Sequence, residues 1–346
     1  MPSKTMEEFL AQSRNYDINS AWMRNVSRSN KVALLFVEGK LDAGFFRSRC
    51  RNNMEIKPLG NKKKVLTIME CYEKFLSETG SDLHAFFFID LDYDFTIQFF
   101  QKALGTGDFE NYRFMRQDNL FYQIFDTDKL KGYNDLESFL FLHECFFRAV
   151  SIDYNFNRNK LYRLQWKIQR IAVQMGCFRV ADRLVRISLG LPEGISLLCN
   201  RDWDGKYSGN PKEKFGAKFL VSWGLLDLRT LDSLDMDMVG EQLKYIFGNE
   251  EYGKYLDILV ELAKVIYRVS EKKTFRSQFL VRGHDMTEIL ARCVVDHNRG
   301  NSASAGDAET ESQVTKTRLE FERLLTACAA DVRNEIKEYP LGKFLE

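Results

Sequence analysis

At 346 residues the chain is long enough for two domains, or one large domain with an appendage, since domains typically run to about 100–200 residues. Hydrophobic residues make up 45%, enough for a sizeable core, and 50 basic against 49 acidic side chains leave a net charge of +1. Bulk charge therefore names no partner, and a nucleic acid would have to be met by a local basic patch. The opening MPSKTMEEFL carries acids and no apolar core, so a signal peptide is not expected. No apolar run approaches the ~18 residues of a membrane span, so no membrane contact is expected. The seven cysteines stand singly, without a CxxC pair, and the four histidines are dispersed. That argues against zinc-ribbon or His-cage sites and points to reduced thiols in a cytoplasm.

Residues 1–28 read as a polar, partly helical lead-in. Val32–Val37 is an unbroken apolar run, the mark of a buried strand, and it stops at Glu38, with Gly39 and Asp42 close behind. A short helix, Asp42–Cys50, follows. Glu55–Leu59 reads as a second strand closed by the turn Pro58–Gly60. Asn61 then caps a helix over Lys63–Thr79, where Val65, Ile68, Met69, Tyr72, Phe75 and Leu76 recur at three-and-four spacing. Ala85–Ile89 and Leu120–Phe125 are the third and fourth strands. Strand and helix alternate, which implies right-handed crossovers and a mostly parallel sheet, an α/β unit over residues 29–150. From Asn159 the periodicity is helical, with candidates at 159–175, 178–189, 212–223, 238–247, 251–270 and 285–296. These form a mostly α-helical domain over 151–297. Residues 298–314 are small and polar and read as a flexible linker. A last helix, Thr315–Tyr339, lies within the terminal 315–346.

In a parallel sheet, functional groups collect where strands end at their carboxyl termini. Glu38 sits at such an end, and so does FFFIDLDYD, residues 86–94, which delivers Asp90, Asp92 and Asp94 directly after an apolar strand. Side chains alternate along a strand, so Asp90 and Asp92 point the same way. If the first and third strands are neighbours, Glu38, Asp90 and Asp92 converge. Carboxylates that close repel unless a divalent cation holds them, and Mg²⁺ (or Mn²⁺) is the oxygen-seeking ion bound in this way beside phosphates. Asp42 has a second reading, as the cap of the helix that follows it.

VEGKLD followed by FIDLDYD resembles the Toprim fold, the catalytic α/β domain of topoisomerases, bacterial primases and OLD-family nucleases. The resemblance implies a Toprim-like parallel-sheet domain, Glu38 as general acid/base, Asp90 and Asp92 as metal ligands and Asp94 as a helper. The wider series VEGKLD, GNKKKVL (60–66), YNDLESFL (133–140) and VRGHDM (281–286) is similar to a family of stand-alone Toprim-like nucleases. That family includes the nuclease subunit of the PARIS anti-phage defence system. It implies a toxic effector held by an ABC-type ATPase subunit and active as a homodimer. The chain itself has no GxxxxGK[ST], so any ATP-driven switch would come from that partner. Each added motif also has a plainer reading. Asn134 and Glu137 fit a capping box, while Asp135 or Glu137 could approach a metal. Lys62, Lys63 and Lys64 are either a solvated first turn or phosphate contacts. His284 and Asp285 are either a buried structural pair or catalytic.

Residues 158–186 hold eight Lys/Arg against one acid, Asp182. Arg163, Lys167 and Arg170 share one helix face, and so do Arg179, Arg183 and Arg186, while Leu164, Ile168, Ile171 and Met175 lie toward the core. Such concentration in a near-neutral chain favours phosphate-backbone contact over a merely solvated face. The sequence therefore points to a metal-dependent phosphodiesterase on DNA or RNA, tRNA included. Two rivals stand beside it. DYDFT (92–96) also fits a haloacid-dehalogenase-like phosphatase using Asp92 and Asp94, though that leaves Glu38 unexplained. A non-catalytic, nucleic-acid-binding Toprim scaffold is the other, without the cysteine zinc site such a scaffold brings.

Overall fold

A computed structural model describes residues 33–47, 54–79, 84–103, 122–126, 133–155, 157–189, 252–272, 275–299 and 307–328. The expected lead-in over 1–28, the helices at 212–223 and 238–247, and the end of the last helix lie outside these residues. In chain order the elements are β1 (Ala33–Val37), α1 (Lys40–Arg47), β2 (Met54–Pro58), α2 (Lys62–Thr79), β3 (His84–Ile89), α3 (Asp94–Ala103) and β4 (Tyr122–Asp126). Then follow α4 (Leu136–Leu142), α5 (Glu144–Asp153), α6 (Arg158–Ser188), α7 (Tyr252–Ser270), a single 3₁₀ turn (Ser277–Leu280), α8 (Gly283–Arg299) and α9 (Asp307–Ala327).

These elements group into two compact units. A sheet unit holds the described residues up to Asp90, together with β4 and residues 326–328; a helical unit holds those from Leu91 to Ala103 and from Tyr133 to Leu325. The division falls at Asp90–Leu91 rather than near residue 150, because α4 packs on α8 and α5 on α6, which draws both into the helical unit.

In the sheet unit the strand order is β2-β1-β3-β4, and every pairing is parallel. This is the expected α/β architecture with a parallel sheet. Leu34, Phe36, Ala85, Phe87 and Ile89 form a core with Val65, Ile68 and Tyr72 of α2. Phe36 stacks on Phe87, with ring centroids 5.2 Å apart, while Phe46 of α1 meets Phe88 edge-on at 5.1 Å. Adjacent residues such as Phe87 and Phe88 face opposite sides of a strand, so both faces are covered. That is why these strands read as continuous apolar runs rather than alternating ones. Each fully buried phenylalanine contributes roughly 1.5–3 kcal/mol. Asn61 Oδ1 accepts the Lys64 N–H at 2.9 Å, which caps α2 as expected. Gly60, at φ 98°, supplies the left-handed turn between β2 and α2, a conformation that costs glycine little.

In the helical unit α6 runs unbroken through 31 residues, where the sequence suggests a break near Gly176. Gly176 is a point of close approach instead: a Cβ there would overlap the Leu280 carbonyl oxygen. α9 begins at Asp307, inside the stretch expected to be a linker, and α8 continues to Arg299. Low apolar content misled there, because Ala308, Glu309, Glu311 and Gln313 are good helix formers. α9 docks through Phe321, which packs on Phe146 and Tyr154 with centroids at 5.8 and 5.3 Å. No helix among the described residues is long and apolar enough to cross a membrane.

Candidate functional site

Glu38 leaves the end of β1, and Asp90 leaves the end of β3. These strands are direct neighbours, paired from Ala33 with His84 to Phe36 with Phe87. Glu38 Oε1 accepts the backbone N–H of Asp90 at 2.9 Å, so the first glutamate and the first aspartate of the expected constellation are bonded across the carboxyl edge of the sheet. On its other side β1 pairs with β2. The Leu59 N–H donates to the Val37 carbonyl at 2.9 Å, and the Gly60 N–H to the Glu38 carbonyl at 2.6 Å, which carries the ladder up to Glu38 itself. Asp42 is buried, and its Oδ2 accepts the Gly39 N–H at 2.7 Å. It braces the start of α1 from inside the first turn, as the returning half of a capping box does.

The rest of the aspartate run opens the helical unit. Asp92 and Tyr93 are consecutive non-glycine residues in the left-handed region, at φ 50° and 68°. Such conformations cost on the order of 1–3 kcal/mol each and persist only where the surroundings over-determine them. Here Asn134 does so. Its carbonyl accepts the N–H groups of Leu91 and Asp92 at 2.8 and 3.2 Å, and its Oδ1 accepts the Tyr93 N–H at 2.6 Å. The Tyr93 hydroxyl donates to the Leu280 carbonyl at 3.3 Å. Arg183 completes the clamp, donating to the Asp92 carbonyl at 3.2 Å and to Asp94 Oδ1 at 3.0 Å. Asp94 thus meets a guanidinium while standing in the first turn of α3, where the helix dipole also favours a negative charge. Thr96 is fully buried and donates to the Phe279 carbonyl at 3.0 Å, which turns the threonine of DYDFT into the helical core.

NDLES and RGHD meet within the helical unit. The capping box of α4 is formed by Asp135 with Ser138, one residue along from the expected Asn134 with Glu137, because Asn134 is spent on Tyr93. Asp135 is buried; its Oδ1 accepts the Ser138 N–H at 2.7 Å, and both of its oxygens accept the Gly283 N–H, at 3.1 and 3.2 Å. Burial pushes its carboxyl up to about 6, opposed by the Ser138 N–H and the Arg282 charge. Glu137 Oε1 lies 3.3 Å from His284 Nε2. Asp285 takes a bidentate bond from Arg179, whose Nη2 donates to Oδ1 at 2.9 Å. His284 and Asp285 therefore serve two separate pairs and not a His–Asp pair of their own. Burial would raise the Asp285 carboxyl, but Arg179 and then Arg282 hold it below the usual carboxylate range.

The two arginine-rich triplets separate. Arg179, Arg183 and Arg186 are partly buried and paired with Asp285, Asp94 and Asp182. Arg163 and Lys167 are exposed and Arg170 is half-buried, and no carboxylate among the described residues pairs with any of the three. Lys63 and Lys64 are exposed in the first turn of α2, beside a half-buried Lys62. Sequence reasoning missed the anchoring role of Asn134, the bond from Arg183 to Asp94, and an exposed Trp166 in the same helical stripe as Arg163, Lys167 and Arg170. The three-and-four spacing from 163 to 166 to 170 is the signal that could have found the tryptophan.

Among the described residues no three His, Cys, Asp or Glu side chains gather as a cation-binding group. Of the four expected metal ligands, Asp94 and Glu137 have Arg183 and His284 beside them, while Asp90 and Asp92 are partly buried at the two sides of Leu91. Set against family models, curated proteins and solved structures, the chain matches none.

Proposed function

We propose that this chain is a metal-dependent phosphodiesterase of the Toprim-like kind, cutting DNA or RNA with Glu38 as its general acid/base. The observation that carries the reading is the bond from the Asp90 N–H to Glu38 Oε1. It puts a glutamate and an aspartate side by side at the carboxyl edge of a parallel sheet, where such folds place their chemistry, and it fixes how the glutamate points. In the transfer step Glu38 takes a proton from the attacking group or returns one to the leaving oxygen. Asp90, with Asp92 two residues along the chain, offers hard oxygen donors suited to Mg²⁺ or Mn²⁺, which is commonly held by one or two carboxylates plus substrate phosphate. When bound, such an ion supplies charge opposite the phosphoryl oxygens. Asp94 and Glu137, each beside a cationic or titratable partner, drop out of this set. The same reading makes the protein a toxic effector of anti-phage defence, a homodimer when active and restrained by an ABC-type ATPase subunit. The phosphatase reading gains nothing, since Thr96 is turned into the core.

The test is cleavage of single-stranded and duplex nucleic acid, tRNA included, by the purified protein with Mg²⁺. Glu38→Ala should slow it by ~10²–10⁴-fold while the thermal unfolding profile stays close to wild type, and it should relieve any growth arrest on overexpression. Wild-type cleavage by the Glu38→Ala protein would overturn the reading.

A further inference from the structure

The amino-terminal half of α6 carries a surface that its own packing does not explain. Trp166 is 61% exposed and Tyr162 38%, on a helix whose opposite side buries Leu161, Ile168 and Ala172. Residues 158, 162, 166 and 170 stand one above another at four-residue spacing, about 6 Å apart along the axis. In that row an aromatic pair is bracketed by cations: the Arg158 guanidinium lies 5.7 Å from the Tyr162 ring and the Arg170 guanidinium 5.7 Å from the Trp166 ring. Arg163 and Lys167, both exposed, run alongside. Glu144 takes part of the charge of Arg158, at 2.6 Å. Yet from 158 to 181 the helix itself contains no acid.

A flat π surface braced by guanidinium and flanked by exposed cations suits a polyanion with exposed flat faces. Duplex DNA and RNA hide those faces in the stack and offer only base edges and phosphates, so Trp166 would add nothing there. An acidic protein segment could meet Arg163 and Lys167 but has no reason to prefer an indole. Unpaired nucleotides meet both, through phosphate on the cations and a base on the ring. Resting on the nuclease reading above, we infer that the substrate is bound as a single strand, with a base stacked on Trp166 and its phosphates on Arg163 and Lys167.

The experiment measures binding by the full chain in EDTA, where no cleavage intervenes. Single-stranded DNA, single-stranded RNA and a duplex of equal length are compared across a salt series. The single strands should bind more tightly than the duplex, and the RNA and DNA arms identify which sugar is preferred. Trp166→Ala should weaken single-strand binding about tenfold, since base–aromatic stacking carries energy of that order. It should leave the salt slope unchanged, and Trp166→Phe should restore most of the affinity. Arg163→Glu with Lys167→Glu should do the reverse, lowering the slope of log K against log salt by about 1.4, the share of two phosphates on a single strand. Binding that ignores Trp166→Ala, a preference for duplex, or no binding of either form would overturn the inference. The nuclease reading fails separately. A protein that binds single strands through Trp166 but never cuts them keeps this inference and loses that one, and cutting that is indifferent to Trp166 does the opposite.

Discussion

Acids serve opposite ends in the two units. At the sheet edge Glu38 and Asp42 hold backbone amides, those of Asp90 and Gly39, so that each carboxylate helps to order a strand end or a helix start. In the helical unit Asp94, Asp182 and Asp285 meet the guanidinium groups of Arg183, Arg186 and Arg179. α6 is the common element, and its arginines hold the first turns of α3 and α8, where Asp94 and Asp285 also face favourable helix dipoles. A carboxylate matched to a guanidinium is suited to holding helices together. One that accepts a backbone amide at a strand end ties neighbouring strand ends together instead.

If the helical pairs are structural, breaking one should cost stability first. Arg179→Leu should have the largest effect, because it takes from the buried Asp285 the guanidinium that bonds both its oxygens and leaves only the charge of Arg282 nearby. Breaking a buried pair from one side costs about 3–5 kcal/mol, and the lower end applies here because the Arg179 side chain is 25% exposed. Urea unfolding should show the loss, and Arg179→Leu with Asp285→Leu should recover much of it; a double variant no better than the single would show that the pair is not the cause. Gly176→Ala comes next, at about 2–3 kcal/mol, because its Cβ would meet the Leu280 backbone, which cannot move away cheaply. Asn134→Ala should cost about 2 kcal/mol by leaving the buried Tyr93 N–H without its acceptor, and Asn134→Asp should cost less. Hydrogen exchange at the Tyr93 amide reads this directly; unchanged protection in Asn134→Ala would mean that the left-handed pair is held by something else.

The sheet was largely legible in the sequence, since strands covered on both faces leave unbroken apolar runs such as Val32–Val37. That β1 and β3 are neighbours, which brings Glu38 to Asp90, follows from topology and could only be posed as a condition. The helical unit was less legible. Gly176 looks like a break because glycine weakens helices, and only its contact with Leu280 shows why a glycine stands there. The polar run before Val314 looked like a linker because amphipathic patterning is weak there, yet helix propensity without an apolar stripe was sufficient. Which arginines are exposed could not be read from spacing. The triplets 163/167/170 and 179/183/186 have the same pattern, and what separates them is whether Asp94, Asp182 and Asp285, distant or near in sequence, come to meet them.

Asp135 offers the finest test of how the helical unit treats its acids, because its position opposes ionisation where that of Asp285 favours it. Its carboxyl is raised to about 6 by burial, above the 3.8 of the unfolded chain, so between these values the folded protein binds more protons. Its contribution to stability is therefore full below about pH 4 and is lost as the pH rises to about 6. Asp285 has the opposite sign, since its lowered carboxyl contributes stability above about pH 4 that is lost only as the pH falls further. The two windows hardly overlap, which lets one variant isolate one residue. Asp135→Asn keeps an oxygen for the Ser138 N–H but cannot ionise. Between about pH 4 and pH 7 its stability relative to wild type should shift in its favour, on the order of 1 to 2 kcal/mol. Thermal melts of both proteins at half-unit steps across that range decide the matter. A difference that stays flat would mean that Asp135 is ionised at no special cost, and that the capping box with Ser138 and the Gly283 amide hold its charge as comfortably as arginine holds that of Asp285.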